Sequence, residues 1–165
     1  MRVLMFDIDT LRSDHLSCYG YGRNTSPTID SIAKEGVRFA DYYCPNAPCL
    51  PSRASLITGQ YGIRTGVVGH GGTAADLRLQ GETRHFTDDY SENGLFMQFR
   101  QAGMHTVSFS TFPERHSAWW FNCGFNEMYN VGKRGSESAE DVTPHVLDWL
   151  KRNADKDNWF MHVHF

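Results

Sequence analysis

Long apolar runs are missing from this 165-residue chain: no stretch reaches the roughly 20 apolar residues that a membrane-crossing helix needs. The N-terminus, M-R-V-L-M-F-D-I-D, sets carboxylates where a signal peptide keeps its apolar centre, so the chain as written reads as cytoplasmic, or as periplasmic or secreted if a leader was removed. Cysteine is scarce. Cys18, Cys44, Cys49 and Cys123 are too few and too scattered for a disulfide scaffold, and none forms the C-x-x-C pair of a redox thiol protein. Cys18, Cys44 and Cys123 read as small buried hydrophobes or inert thiols. An excess of one charge is missing too: sixteen Lys and Arg against nineteen Asp and Glu give a net charge of -3, without the like-charge blocks of a nucleic-acid tail. Nucleic-acid and membrane partners are therefore not expected. No internal repeat or low-complexity segment is seen.

What is present is material for one core, or part of one: 40% of the residues are hydrophobic and 13% aromatic. Arg2 to Ile8 reads as a strand buried on both faces and ending in acids. Ser26-Pro27 opens a helix that Gly36 stops, and Val37 to Tyr43 reads as a second strand. Pro51 to Thr58 is a short helix closed by Gly59, followed by a polar, glycine-rich loop from Gly59 to Gly81. A helix from about Ser91 to Ala102 leads into the strand Met104 to Ser110. Thr143-Pro144 opens another helix, running to about Asn153, and Trp159 to Phe165 is the last strand. Strands alternating with helices predict an α/β fold with a mainly parallel sheet flanked by helices. F-M-H-V-H-F has the pattern of an interior strand, though a docked edge strand reads alike. A complete domain seldom ends on such a strand, so the chain is expected to be an incomplete part of one.

Ligands of an open parallel sheet gather at the carboxyl ends of its strands. There, Asp7 and Asp9 share a face by period-two alternation and could present oxygen to a hard cation, although an Asp-x-Asp alone more readily caps a turn or solvates a strand end. The segment C-P-N-A-P-C-L-P-S-R-A-S-L-I-T-G is richer. Pro48 and Pro51 stiffen the backbone around Cys49, and Pro51 suits a helix start. Cys49 then lies just before a helix N-terminus, where unpaired N–H groups favour an anion, and Arg53 adds a cation on the same face one turn on. A buried cysteine beside a surface arginine remains the alternative.

The run C-L-P-S-R, with L-I-T-G after it, resembles the signature of the sulfatase family, within the alkaline-phosphatase-like superfamily. D-T-L-R-S-D-H-L-S-C-Y-G upstream resembles that family's first metal-binding strand end, and with S-P-T-I-D-S-I-A-K-E-G-V-R-F the resemblance is close over about residues 3 to 66. It implies that residues 1–165 are the N-terminal part of a single sulfatase catalytic domain. It also implies that a formylglycine-generating enzyme oxidises Cys49 to formylglycine, whose hydrated aldehyde attacks the sulfur of a small-molecule or oligosaccharide sulfate ester and then collapses to expel sulfate. A divalent metal, Ca2+ by family habit, would bind Asp9 and the modified Cys49, with Asp7 doubtful as a ligand, while Arg53 would hold the formylglycine.

The sequence also departs from the family's pattern. Thr10 stands where many sulfatases carry a second acid, and the family's lysine and histidine after the third strand are not intact in S-T-F-P-E-R-H-S-A-W-W-F. Arg115 and His116 could replace them, binding sulfate and protonating the leaving oxygen, or could be loop residues packed near Trp119 and Trp120. His105, His145, His162 and His164 read as structural. The loop from Gly59 to Asp89 and the aromatic patch Trp119 to Phe121 could line a substrate pocket or belong to the core. A phosphate or phosphonate monoester hydrolase of the same superfamily and a non-catalytic anion-binding module remain the competing readings.

Overall fold

The computed structural model describes residues 1–82 and 88–165; residues 83–87, inside the loop expected to line a pocket, lie outside the described residues. The chain folds as two compact units, Asp9–Cys44 and Met1–Ile8 with Pro45–Phe165. The smaller unit carries α1 (Pro27–Glu35), which starts after Ser26 and ends at Gly36 as its sequence signals predict. Hydrogen bonds organise it. The Asp30 carboxylate accepts from the Cys18 backbone N–H at 2.8 Å and from the Ser26 hydroxyl at 3.0 Å, and that hydroxyl's oxygen accepts from the Ser17 N–H at 3.1 Å.

The segment Val37 to Tyr43 is not a strand. Val37, Phe39, Tyr42 and Tyr43 are 65–82% exposed, and the Phe39 carbonyl accepts from the Tyr19 hydroxyl instead of from a ladder. β-Branched and aromatic residues favour strands through neighbours on a pleated surface, and none flank this segment among the described residues.

The larger unit holds a four-stranded sheet of β1 (Arg2–Asp7), β2 (His105–Phe109), β3 (Glu127–Tyr129) and β4 (Trp159–His164), in the order β1-β4-β2-β3 with every pair parallel. The mainly parallel α/β fold is therefore observed, and the F-M-H-V-H-F run is the interior strand its pattern suggested. β1 differs from expectation. It lies at the sheet edge and alternates, with Val3, Met5 and Asp7 half-buried while Leu4 and Phe6 are 42% and 52% exposed. An edge strand covered on one face buries only every second side chain.

Helices cover both faces of the sheet. On one side α7 (Ala139–Arg152) buries Val142, Val146 and Trp149 against Val107 and Phe109 of β2 and Met161 and Val163 of β4. On the other, α2 (Cys49–Thr58), α4 (Asp89–Asn93), α5 (Leu95–Gln101) and α6 (Phe112–His116) contribute to a second cluster, with α3 (Gly62–Thr65) beside α2. Leu50, Ala54, Phe96, Phe112, Phe121 and Phe160 lie at its heart, with Val3 and Met5 of β1 packed against it.

Three boundaries differ from the sequence expectation for local reasons. The helix expected from Ser91 to Ala102 is broken at Gly94, which is extended (φ -63°, ψ 152°) and so close to Tyr90 that a Cβ would stand 2.9 Å from its ring. α7 begins at Ala139 rather than at Pro144, because the Asp141 carboxylate accepts the Ser138 N–H at 3.0 Å and caps a turn earlier. Pro144 then sits in the second turn, where the carbonyl it leaves unmatched belongs to exposed Glu140. The stretch from Gly59 to Gly81 is not all loop, since it contains α3. No helix among the described residues is long and apolar enough to cross a membrane.

Candidate active site at the start of the second helix

Cys49 is the first residue of α2 rather than the residue before it, with Pro48 as the cap, so it stands at the positive end of the helix dipole; in this turn the Leu50 N–H donates to His70 Nε2 at 3.3 Å and the Ser52 N–H to the Pro48 carbonyl at 3.1 Å. The approach is pinned from behind: the Asn46 side-chain amide donates to the Ser55 hydroxyl at 2.6 Å, and Leu50, Ala54 and Ile57 seat the helix in the core. One turn on, Arg53 is buried, only 6% exposed. Its Nε and Nη2 each donate at 2.8 Å to an oxygen of Asp7, and its guanidinium carbon lies 4.8 Å over the Phe112 ring. Val3, Met5 and Asp7 share a face by strand alternation, which is why the carboxylate at the end of β1 meets the α2 side of the sheet.

Burial alone would raise the Asp7 carboxyl. Its neighbours His162 and Arg53 outweigh that and hold it down to about 2. His162 Nε2 stands 3.7 Å from Asp7 Oδ2, too far for a hydrogen bond, and is among the buried polar atoms without a hydrogen-bond partner, so the two Arg53 contacts are the firmer part of the effect. His162 is fully buried, and its Nδ1 lies 3.1 Å from the Ser108 hydroxyl. His164 places Nε2 3.2 Å from Arg53 Nη2. Two of the four histidines that read as structural thus border this ion pair. His105, by contrast, pairs with Glu127 at the opposite, N-terminal end of the strands, and His145 is exposed on α7.

Around Cys49 the structure gathers two imidazoles. His116, at the end of α6, brings Nε2 to 4.0 Å from Cys49 Sγ, while His70 brings its own Nε2 to 3.0 Å. The rings are 4.9 Å apart. His70 was not singled out in the sequence; its signal is the G-H-G-G run, which puts one side chain with chemistry on an otherwise bare turn. Arg115, next to His116, is exposed, and its guanidinium donates to the Gly135 carbonyl at 3.5 Å rather than joining this group. Asp9 begins the smaller unit and is half-buried. Thr10 after it has φ 58°, a left-handed conformation that a β-branched residue adopts only under constraint.

Such an arrangement can hold a nucleophile at a helix N-terminus, offer it two imidazoles, and keep a fixed cation one turn away.

Comparison with known proteins agrees with this local picture. Human arylsulfatase A is 45% identical over 65 residues, 39% of this chain and 13% of that enzyme. The ulvan-active sulfatase of Formosa agariphila is 37% identical over 62 residues, 37% of this chain and 12% of that one. The chain thus spans only about an eighth of the length of the curated relatives it matches. The phosphonate monoester hydrolase of Agrobacterium radiobacter shares the fold, with a TM-score of 0.69 at 19% identity over 99% of this chain and 40% of that one. The Silicibacter pomeroyi phosphonate monoester hydrolase does so at 0.63 and 22%, over 100% and 41%. The Sulfatase family model matches residues 3–165, through all four strands and the Cys49–Arg53 turn, and the chain belongs to the sulfatase family.

Proposed function

We propose that this chain is the N-terminal part of the single catalytic domain of a sulfuric ester hydrolase, with Cys49 as the site of its nucleophile. The observation that carries the reading is the grouping at α2: Cys49 in the first turn, His70 and His116 on its sulfur, and buried Arg53 fixed to Asp7 one turn on. The relatives' names share a sulfated substrate, from aryl and steryl sulfates to ulvan. The substrate proposed here is a sulfate monoester on a small molecule or a carbohydrate. Trp119, three residues past His116 and 66% exposed, offers a flat apolar face of the kind sugars pack on.

Oxidation of Cys49 to formylglycine, by a formylglycine-generating enzyme, would supply a hydrated aldehyde able both to attack sulfur and to release sulfate. The chain's own groups do the rest. The dipole at the N-terminal end of α2 and the Arg53 cation favour negative charge near residue 49, and His116 gives a proton to the leaving oxygen. Arg115, held at Gly135, would serve sulfate at the rim of the site rather than at its centre.

A hard cation fits the donors in part. Asp7 stays ionised, and it and an oxygen at residue 49 are the donor type calcium prefers and would help neutralise sulfate; Asp9 is carried as a ligand by the resemblance alone. Among the described residues no group of three or more His, Cys, Asp and Glu side chains gathers closely enough to hold a metal ion, so the set is incomplete.

The test is the mass of the Cys49 peptide from full-length protein made in its native host, together with turnover of 4-nitrophenyl sulfate and 4-nitrophenyl phosphate. Formylglycine with sulfate turnover is the expected result. An unmodified thiol without sulfate turnover sinks the reading, and preference for the phosphate ester moves the protein to the hydrolases it resembles in fold.

A further inference from the structure

Two donors converge on one nitrogen. The Leu50 backbone N–H donates to His70 Nε2 at 3.3 Å, and Cys49 Sγ lies 3.0 Å from the same atom. A ring nitrogen that accepts from an amide carries no proton of its own, so the proton of His70 sits on Nδ1 and the Nε2 lone pair faces residue 49. The turn holding the ring is closed tightly. The Val68 and Gly69 N–H groups both donate to the Ala74 carbonyl, at 2.7 and 2.9 Å. A Cβ at Gly69 would stand 3.2 Å from that of Ala74, and Gly72 has φ +56°. His116 reaches the same sulfur only at 4.0 Å. The two imidazoles are thus inequivalent, one in contact with the side chain of residue 49 and with the amide after it, the other standing off.

We propose that His70 is a catalytic residue of this site, the proton acceptor for the nucleophile carried by residue 49. The assignment rests on the hydrolase reading above and divides the work between the histidines. As the attacking oxygen bonds to the ester sulfur, its proton passes to His70 Nε2. The bond from sulfur to the leaving oxygen breaks, and that oxygen takes its proton from His116.

The contact observed is that of the unmatured thiol, in which Sγ stands in for the attacking oxygen, and this provides a readout independent of turnover. Full-length protein produced without the modifying enzyme keeps Cys49 as a thiol, whose alkylation by iodoacetamide is followed by peptide mass with exposed Cys44 as internal reference. His70 is exposed, so His70→Ala should leave the fold intact, which a thermal melt checks. The variant is expected to slow Cys49 alkylation about tenfold while Cys44 is unchanged, because a thiol loses its acceptor. In the matured enzyme, His70→Ala is expected to lower kcat for an aryl sulfate by about a hundredfold, with partial rescue by added imidazole, which a structural role would not allow.

Alkylation or kcat within about twofold of wild type overturns the proposal, even if sulfate esters are hydrolysed. Slowed alkylation in a protein that hydrolyses no sulfate ester supports His70 as acceptor and overturns only the functional reading.

Discussion

Arg53 and Asp7 meet fork to fork, with Nε and Nη2 of the guanidinium on the two carboxylate oxygens at 2.8 Å each. Their side chains are 7% and 16% exposed, so neither charge has water to fall back on. Removing one partner should strand the other. Arg53→Ala is expected to destabilise the full-length protein by about 3–5 kcal/mol in urea unfolding. Arg53→Lys keeps the charge but loses the fork and the stacking over Phe112, and should cost about 1–3 kcal/mol. An alanine variant as stable as wild type would show that the pair is not what fixes β1 to α2.

Acid should weaken the same pair within a definite window. Asp7 sits at about 2 in the folded chain against 3.8 for an ordinary aspartate. A carboxyl depressed by folding stabilises fully above its unfolded value, and that stability is lost as pH falls through its folded value. The contribution, about 2 kcal/mol, should therefore be intact at pH 5 and fade between about pH 4 and 2. Urea unfolding at several pH values checks it: Asp7→Asn should flatten the slope in that window, and an unchanged slope would remove Asp7 as its source.

Much of the fold was legible because its signals are local. Ser26-Pro27 and Gly36 bracket α1, Gly59 closes α2 in a left-handed conformation, and the Val, Phe and Met of β2 and β4 mark buried strands. What was missed depends on neighbours distant in sequence. Val37 to Tyr43 has strand composition but no ladder, and Leu4 and Phe6 look buried until β1 is seen at an edge. Cys49, Arg53 and Asp7 could be picked out along the chain because motif and alternation mark them. The proximity of His70 to Cys49, and of His162 and His164 to the Asp7–Arg53 pair, arises from a loop fold and a strand order that no short window encodes.

Glycine substitutions separate backbone strain from crowding. Gly124 has φ +100°, and a Cβ there would stand 2.4 Å from the Met97 nitrogen and 2.6 Å from the Phe96 carbonyl carbon, both backbone. Gly103 also has positive φ, +79°, but open space around it. Gly103→Ala should cost about 1 kcal/mol from conformation alone, whereas Gly124→Ala should cost about 3 kcal/mol or more or prevent folding. Equal melting temperatures for the two variants would contradict this contrast.

Metal removal should be visible without any assay of turnover. In the full-length protein a chelator is expected to lower Tm and added calcium to restore it, since calcium at about 100 times its Kd adds about 2.7 kcal/mol. Asp9→Asn should blunt the calcium response while leaving the chelated protein's Tm nearly unchanged. A Tm indifferent to chelator and calcium would remove the cation from the mechanism.

The place of β4 sets the order in which the molecule can assemble. β1 and β2 share no ladder; Arg2 and His105 both pair with Trp159, one on each side. β4 also supplies Phe160 to one cluster and Met161 and Val163 to the other. Until β4 is in place, β1 has no partner strand, β2 has only the short β3, and the two apolar clusters each lack a wall. Helices can form early, but the joining of β1 to the β2–β3 pair and the closing of the two cores both wait for β4, which makes these long-range steps of folding a single event.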